Sequence, residues 1–258
     1  MKGDLSLVNI CRNLETSIIG KNVLYYPCLP STMITARKEA VYGANEGTVI
    51  ITGKQTKGRG RMERSWISPE GNIALSVLLY PLVKDLPSLI MMASLAVVYA
   101  VRGLTGFSAQ IKWPNDILLN GKKVCGILIE NNVRGNKVDY AIIGIGLNVN
   151  MKMSDFPDIK DTATSLSETL TREFSLAKVT QKLLLEMDRL YLTLRNGVPL
   201  YEDWRDKLTT LGQNIRVKSG NALYKGTAEL VVSDGSLLLR QADGTLVKIV
   251  SGDATLRD

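Results

Sequence analysis

The segment from Lys54 to Arg64, KQTKGRGRMER, holds more than half of the chain's excess positive charge. Five cations stand there against one carboxylate, a local net charge of +4 in a chain of 258 residues whose net charge is +7. Arginine forks stay charged and suit carboxylates and phosphates. Gly58 and Gly60 let the backbone approach a ligand closely, and Trp66 offers a flat face to an aromatic base. The pattern predicts a loop that binds a small anion, with a solvated basic loop as the alternative.

Two further segments combine polar side chains with distinctive backbone signals. Residues 112–126, KWPNDILLNGKKVCG, place three lysines and an Asn-Asp pair around an Asn-Gly turn, which is a strong hairpin signal. Residues 144–148, GIGLN, put two glycines in a strand, which indicates that something packs against bare backbone. A surface hairpin and close helix–sheet packing are the structural alternatives.

The absence of histidine removes whole classes of chemistry. A Ser-His-Asp triad, a Cys-His dyad and histidine metal ligands are excluded. Cys11, Cys28 and Cys125 form no CxxC pair, so neither a four-thiolate zinc site nor a disulfide framework is expected. The general nucleotide-binding patterns GxxxxGK[ST] and GxGxxG are also absent. An enzyme of this composition works with lysine, arginine, aspartate, asparagine and backbone amides.

The start of the chain lacks the pattern of a signal peptide, and free cysteines fit a reducing compartment. The most apolar run, Leu89 to Val101, is shorter than the ~20 residues of a membrane span, so it predicts a buried helix. We therefore expect a cytoplasmic protein.

The elements that position the polar segments follow from hydrophobic periodicity. Helices are predicted at residues 4–19, 86–103 (closed by Gly103), 174–197 (capped by Ser175 and Gly197) and 199–208. Strands are predicted at residues 47–54, 72–81, 109–120, 124–131 and 139–150. From about residue 211 short strands alternate with turns, which predicts a small β-barrel or sandwich. We expect one domain over residues 1–210 and a second over residues 211–258.

In combination these segments resemble the biotin protein ligases, the biotin–acetyl-CoA-carboxylase ligase family. The matching pieces, from about Tyr25 to Arg257, are Pro30-Ser31-Thr32, the GRGR loop with Arg64 and Trp66, SPEGNIALSVLL (68–79), KWPNDILL (112–119), KxxGILIE (123–130), IGIGLNVN (143–150) and ATSL (163–166). A lone GRGR would be unspecific, whereas several motifs in order and at family spacing are highly specific. The resemblance implies an α+β fold. A mixed-sheet catalytic domain flanked by helices, of the class II synthetase-like or biotin–lipoyl ligase type, would precede a small SH3-like β-barrel.

The resemblance also implies a two-step reaction. Biotin attacks the α-phosphate of ATP to give biotinyl-5′-AMP and pyrophosphate, and a lysine of a biotin carboxyl carrier protein domain then displaces AMP. ATP and biotin are the implied substrates, and Mg²⁺ is implied by the ATP chemistry. Neither step needs a histidine. Many relatives carry an N-terminal winged helix-turn-helix, for which the residues before Pro30 are too few, so operator binding is not expected. DNA and membrane partners are not expected either, and the chain would be a monomer or a homodimer.

The resemblance assigns roles by position. Lys123 would neutralise charge at the reacting phosphate, Arg61 would restrain release of the adenylate, and Asp116 would be the ion-pair partner of Arg61. The implied biotin-binding residues are Ser31, Thr32, Gln55, Gly58, Arg59, Lys123, Gly126, Leu128, Gly144 and Gly146. The implied ATP-binding residues are Arg59, Arg61, Arg64, Trp66, Lys112, Asn115, Asn148 and Arg257. No metal ligand is assigned, and Met33 stands where many relatives have asparagine.

Two alternatives remain open. A lipoate ligase or lipoyl transferase of related fold would use similar substrates, although the GRGR and KWPND motifs favour biotin, and no cysteine has a setting that suggests a nucleophile. A nucleic-acid-binding module would fit the net positive charge and the C-terminal barrel. That alternative lacks a helix-turn-helix, a zinc site and an aromatic-basic stripe in the sequence.

Overall fold

The computed structural model describes residues 4–256, and within that range the strands form two separate sheets. The first sheet consists of β1 (Val23–Tyr26), β2 (Val49–Thr52), β3 (Ile73–Leu79), β4 (Gln110–Lys112), β5 (Asp116–Leu119), β6 (Lys122–Arg134) and β7 (Lys137–Leu147). The second consists of β8 (Asn214–Ser219), β9 (Ala222–Val231), β10 (Leu237–Arg240), β11 (Leu246–Ile249) and β12 (Asp253–Leu256). The α-helices are α1 (Leu7–Cys11), α2 (Thr32–Val41), α3 (Ser88–Thr105), α4 (Leu166–Leu170), α5 (Leu176–Arg195) and α6 (Tyr201–Arg205).

The first sheet is mixed. Its strand order is β1-β2-β3-β7-β6-β5-β4, with β1 and β2 parallel and every other neighbouring pair antiparallel. The second sheet is antiparallel throughout, in the order β11-β10-β9-β8-β12. A mixed sheet flanked by helices and followed by an antiparallel sheet is an α+β fold, so the predicted fold class is confirmed.

The two faces of the first sheet are covered unequally. Alternate residues of a strand point to opposite faces. On β7, Ile143, Ile145 and Leu147 share the main core with helices α3 and α5, whereas Ile142 packs with Met33 of α2 in a smaller cluster on the other face. The α2 side is therefore only partly covered, and the glycines of β7 lie there.

Several local predictions are confirmed. The side chain of Ser175 caps α5 by accepting a hydrogen bond from the Lys178 amide at 3.2 Å, and Gly197 follows the helix with φ +78°. The Asn120-Gly121 pair turns the β5–β6 hairpin with φ values of +51° and +77°. Helix α3 is the one described helix long and apolar enough to cross a membrane, and it packs in the core, as expected for a buried helix.

Other local predictions are wrong. The apolar spacing over residues 4–19 yields only the five-residue helix α1. The chain that follows is instead fixed by Asp188 of α5, whose carboxylate accepts hydrogen bonds from the backbone amides of residues 17, 18 and 19 at 2.7–2.8 Å. Gly103 does not close α3, which continues to Thr105 and ends at Gly106, where φ is +79°. The predicted helix over 199–208 is reduced to α6.

The second sheet is connected to the rest of the chain by partly buried hydrogen bonds. The indole Nε1 of Trp113 donates to the carbonyl oxygen of Gly235 at 2.9 Å. The hydroxyl of Tyr201 on α6 donates to the carbonyl oxygen of Val231 at 2.6 Å. Because both acceptors belong to the loop regions and strand ends of the second sheet, these bonds set its position relative to the first.

Candidate active site

The floor of a cleft lies on the α2 side of the first sheet, where small residues of neighbouring strands stand opposite each other. Gly126 of β6 is opposite Gly146 of β7. In the next row, Gly144 lies between Leu128 of β6 and Ser76 of β3. Three of these five positions have no side chain, so the sheet has a depression here that can receive a flat group.

Two side chains of the chain itself lie in this depression. A Cβ atom built on Gly146 would be 2.3 Å from Nε1 of Trp66, and one built on Gly144 would be 2.6 Å from Sδ of Met33. The expectation that something packs against the bare backbone of these glycines is therefore confirmed. The packing groups are an indole ring and a thioether, which form an apolar wall over the sheet.

The residues from Gly58 to Trp66 form a small hairpin over the cleft, here called the GRGR hairpin. The Trp66 amide donates to the Gly58 carbonyl at 3.0 Å, and the Gly60 amide donates to the Arg64 carbonyl at 2.7 Å. A Cβ on Gly58 would be 2.3 Å from the Trp66 carbonyl oxygen, so glycine is needed for the strands of the hairpin to close. The hairpin projects its arginines toward the cleft.

Lys123 lines the cleft beside Asp116 and Trp66. Its Nζ lies 2.6 Å from Oδ1 of Asp116 and 5.4 Å from the centre of the Trp66 ring. The backbone of Lys123 is held by Thr162 and Thr164, each through one hydrogen bond of 2.9 Å. A β-bulge in the β5–β6 pairing lies beside it, and a bulge changes the direction in which neighbouring side chains point. The position of the ammonium group is thus fixed by the backbone hydrogen bonds of Lys123 and by the ion pair with Asp116.

The arginines of the GRGR hairpin are partly engaged by the chain. Arg61 Nη1 donates to Oδ1 of Asn115 at 3.0 Å, and Arg64 forms an ion pair with Asp253 of β12. Burial lowers the pKa of the Arg61 guanidinium, and the carboxylates of Asp253 and Asp116 act in the opposite direction. The expected Arg61–Asp116 ion pair is not formed. Asp116 pairs with Lys123 instead, because the β5–β6 pairing brings these two side chains together.

A second group of polar atoms lies at the start of α2. The amide of Thr32 donates to Oε1 of Gln55 at 2.9 Å, and the hydroxyl of Ser76 donates to Oγ1 of Thr32 at 2.8 Å. Ser31 occupies the N-cap position of α2, but its side chain makes no capping bond. Its Oγ is buried and has no hydrogen-bond partner among residues 4–256. A buried hydroxyl without a partner costs about 1–3 kcal/mol, and a polar ligand atom at this end of the cleft would remove that cost.

Most of the sequence-predicted site residues line this one cleft. Those that line it are Ser31, Thr32, Gln55, Arg59, Arg61, Arg64, Trp66, Asn115, Asp116, Lys123, Gly126, Leu128, Gly144 and Gly146. Gly58, Lys112 and Asn148 are not among the lining residues. The Asn148 side chain is buried and donates to the Thr164 carbonyl at 3.0 Å, so it supports the segment that holds Lys123. Arg257 lies outside the described residues.

Among the lining residues that have no role assigned from the sequence, Met33 and Asp253 make the most specific contacts. Met33, which stands where many relatives have asparagine, covers Gly144 with its thioether. Asp253 lies in a Ser-Gly-Asp turn pattern that predicted only a turn, and it reaches the cleft through the Arg64 ion pair. No local signal places Asp253 beside a loop almost 190 residues earlier in the chain. The second sheet therefore contributes a carboxylate to the cleft.

Comparison with known proteins gives a consistent result. Residues 25–148 match the Biotin/lipoate A/B protein ligase family, and residues 210–257 match the Biotin protein ligase C terminal domain. The Bifunctional ligase/repressor BirA of Bacillus subtilis is 40% identical over 260 residues, covering 98% of this chain and 80% of that protein. A Biotin–[acetyl-CoA-carboxylase] ligase of Mycobacterium tuberculosis is 32% identical over 86% of this chain and 84% of its own length.

The fold gives the same answer. A biotin protein ligase from Aquifex aeolicus, solved in complex with biotin and ATP, superposes with a TM-score of 0.77 and 29% identity, over 92% of this chain and 99% of that one. The family matches and these relatives identify the chain as a ligase of the biotin/lipoate type. The chain belongs to the biotin protein ligase family.

Proposed function

We propose that the chain activates biotin with ATP to form biotinyl-5′-AMP and transfers the biotinyl group to a lysine of a biotin carboxyl carrier protein domain. Structures of the Aquifex relative hold biotin and ATP, which supports both substrates here. The observation that carries the proposal is the polarity of the cleft. The unpartnered Ser31 hydroxyl lies at one end, Lys123 and Arg61 at the other, and the apolar wall of Met33 and Trp66 between them.

This arrangement fits biotin in one orientation. The uncharged ureido ring would accept and donate hydrogen bonds at Ser31, Thr32 and Gln55. The apolar ring and tail would contact Met33 and Trp66. The carboxylate would then reach Lys123, whose ammonium group is fixed beside Asp116. Cations placed in advance where charge develops are the main source of rate enhancement in phosphate chemistry.

In the first step, a carboxylate oxygen of biotin bonds to the α-phosphorus of ATP and the bond to pyrophosphate breaks. Lys123 would neutralise the reacting phosphate, and Arg61 and Arg64 would bind the remaining phosphate oxygens through their planar forks. In the second step, the neutral amine of the acceptor lysine attacks the acyl carbon, AMP leaves and the amine gives up a proton. Arg61, held by Asn115 at 3.0 Å, would retain the adenylate until then.

The cleft fits Mg²⁺ carried by the triphosphate better than a resident metal. Among residues 4–256 no group of three carboxylate, cysteine or histidine side chains could hold an ion. The two cleft carboxylates, Asp116 and Asp253, already pair with Lys123 and Arg64. Magnesium commonly binds through substrate phosphates with one or two carboxylates. Bound in that way, it would shield the charge of the phosphates.

The proposal also covers partners and location. The acceptor carrier domain approaches from solvent. The absence of operator binding also stays a proposal. A cytoplasmic location stays a proposal that rests on the three free cysteines, of which Cys11 and Cys28 are exposed. The domain division near residue 210 and a monomeric or homodimeric state also stay proposals.

The deciding assay combines labelled biotin, ATP, Mg²⁺ and an apo carrier domain, with label transfer followed on a gel and pyrophosphate release measured in parallel. We expect transfer that depends on both ATP and the carrier lysine. Isothermal titration with biotin and with lipoate separates the two branches of the family, and a preference for lipoate would overturn the proposal. Burial raises the pKa of the Cys125 thiol, which argues against this cysteine as an acyl-carrying nucleophile.

A further inference from the structure

The outer face of the second sheet carries three exposed cations, Arg216 and Lys218 on β8 and Lys225 on β9, here called the basic barrel face. Arg216 stands opposite Lys225 in the β8–β9 pairing. Residues opposite each other in antiparallel strands share one face, with Cβ atoms about 5 Å apart. Two positive charges are therefore held next to each other at a cross-strand position, which destabilises the sheet.

No contact within the described chain relieves this repulsion. None of these three side chains forms an ion pair or a hydrogen bond with another residue in the range 4–256. The same sheet does pair its other charges, since Arg240 binds Glu229 and Lys248 binds Asp234 at 2.7 Å. The cross-strand pair of Arg216 and Lys225 thus differs from the other paired charges of the second sheet, because it has no carboxylate partner among the described residues.

The basic barrel face is continuous with the active-site cleft. Lys218 lies directly opposite Asp253 in the β8–β12 pairing. The carboxylate of Asp253 lines the cleft and is taken up by Arg64 of the GRGR hairpin. Asp253, Lys218 and Leu223 therefore form one cross-strand row of side chains that begins at the cleft. The neighbouring row on the same face contains Arg216 and Lys225.

We infer that the basic barrel face binds an acidic surface beside the target lysine of the acceptor carrier domain. The inference rests on the proposed function, because it concerns the second substrate of the same cleft. The acceptor must insert its lysine into the cleft, so the residues around that lysine come to lie on the neighbouring surface. Carboxylates there would neutralise the cations that this chain leaves unpaired, which steers the encounter and fixes its orientation.

A protein partner fits this surface better than a nucleic acid. Leu223, opposite Lys218 in the same row, is 59% exposed and adds an apolar contact beside the charges. Among the described residues of the two rows there is no aromatic ring on which a base could stack, and three cations are few for a duplex, where proteins contact about 6–10 phosphates.

The test compares the full chain with Arg216→Glu and with the double change Arg216→Glu and Lys225→Glu. In the single variant a carboxylate would face Lys225, a favourable cross-strand pair, so the sheet is retained. Lys178→Glu on α5, an exposed lysine remote from the cleft, is the matched control. Two activities are measured: pyrophosphate release without acceptor, and label transfer to a purified apo carrier domain of an acetyl-CoA carboxylase.

We expect KM for the carrier domain to rise about tenfold in the single variant and further in the double variant, with wild-type pyrophosphate release. The difference should shrink as ionic strength increases from about 0.05 to about 0.5 M. Replacing the carboxylates next to the carrier's lysine by amides should raise KM for the wild type and not for the double variant.

An unchanged KM for the carrier domain would overturn the inference while leaving the proposed function intact. An equal loss of pyrophosphate release would also overturn it, since the face would then serve ATP rather than the acceptor. Duplex DNA that binds the wild type at physiological salt and is lost in the same variants would assign the face to nucleic acid. Absence of pyrophosphate release in the wild type would overturn the proposed function itself.

Discussion

The indole ring of Trp66 lies on the bare backbone of Gly146, so close that a single added methyl group would overlap it. The contact joins the GRGR hairpin to the middle of the first sheet, because a Cβ at residue 146 would come within 2.3 Å of two ring atoms. The position of the hairpin over the cleft therefore depends on the absence of a side chain on β7.

Gly146→Ala is expected to displace Trp66 and weaken ligand binding. The backbone of a buried strand cannot retreat, so the ring has to move. Titration calorimetry with biotin should show a Kd raised by about tenfold or more, since a lost buried contact of about 1.4 kcal/mol is a factor of ten. Gly103→Ala is the control, because its Cβ would meet only the flexible end of Lys182. Wild-type biotin affinity in Gly146→Ala would show that Trp66 is not held by this contact.

Lys123→Ala is expected to slow adenylate formation. Removing one pre-positioned donor from a phosphate-activating site costs about 100-fold or more in rate. The measurement is pyrophosphate release with biotin and ATP. Lys122→Ala is the matched control, because that neighbouring lysine is exposed and contacts only the Lys160 carbonyl at 3.4 Å. A wild-type rate in Lys123→Ala would remove this residue from the reaction.

Arg61→Gly is expected to accelerate loss of the adenylate more than it slows its synthesis. The guanidinium lies on a glycine-flanked hairpin and is held by Asn115, so it can retain an anion through charge-assisted bonds worth about 1.5–3 kcal/mol. The adenylate dissociation rate should rise by about ten- to a hundredfold, and labelling of proteins without a carrier domain should increase. Arg61→Lys keeps the charge but lacks the planar guanidinium, so its adenylate dissociation rate should lie between those of the wild type and Arg61→Gly. An unchanged dissociation rate would contradict the assignment.

Asp188→Asn is expected to destabilise the fold without changing ligand affinity. The buried carboxylate accepts hydrogen bonds from the backbone amides of Ser17, Ile18 and Ile19 through both of its oxygens. An asparagine side chain has only one acceptor oxygen, so it cannot make all three bonds. The free energy of unfolding in urea should fall by about 1–3 kcal/mol. Asp158→Asn, at an exposed position, is the control. Equal stability of the two variants would show that these three bonds contribute nothing.

Stability should also decline at high pH through Tyr99. Burial, with a hydrogen bond from its hydroxyl to Asp203, raises the pKa of Tyr99 from 10.0 to about 12. The folded state therefore favours the neutral phenol. Its contribution is fully present below the unfolded pKa of 10.0 and is lost as pH rises toward about 12. Unfolding in urea at about pH 9 and about pH 11 should show a smaller loss for Tyr99→Phe than for the wild type. Equal losses would mean that Tyr99 titrates alike in both states.

The elements predicted correctly from the sequence are those fixed by local chemistry. The Ser175 cap and the Asn120-Gly121 turn depend on residues within a few positions of each other. Helix α2 was not predicted, because only Met33 and Ala36 of its apolar residues are buried and the usual periodicity is weak. The helix expected over residues 4–19 ends early, because side chains far along the chain bind this backbone instead. Gln181 binds the carbonyls at the end of α1, and Asp188 binds the amides of residues 17–19.

In the site, too, contacts between residues far apart in the sequence are the ones that could not be predicted. The motif residues Ser31, Lys123 and Gly146 line one cleft. Strand pairing places β6 beside β7, and hydrogen bonds of Thr32 to Gln55 and Ser76 hold the start of α2 beside them. The predicted ion pair between Asp116 and Arg61 is wrong, because the sequence does not tell which of two nearby cations a carboxylate will contact. Asp116 pairs with Lys123. Asp253 was missed because its place in the cleft depends on how the second sheet packs against the first.

The contact between Arg64 and Asp253 has a consequence for biosynthesis. Every other residue that lines the cleft precedes Leu147, so a ribosome completes those parts early. Asp253 belongs to β12, the last strand described. A nascent chain thus carries the motif residues long before it can anchor the GRGR hairpin from the second sheet. The cleft is therefore fully assembled only after the second sheet has been synthesised and has folded against the first.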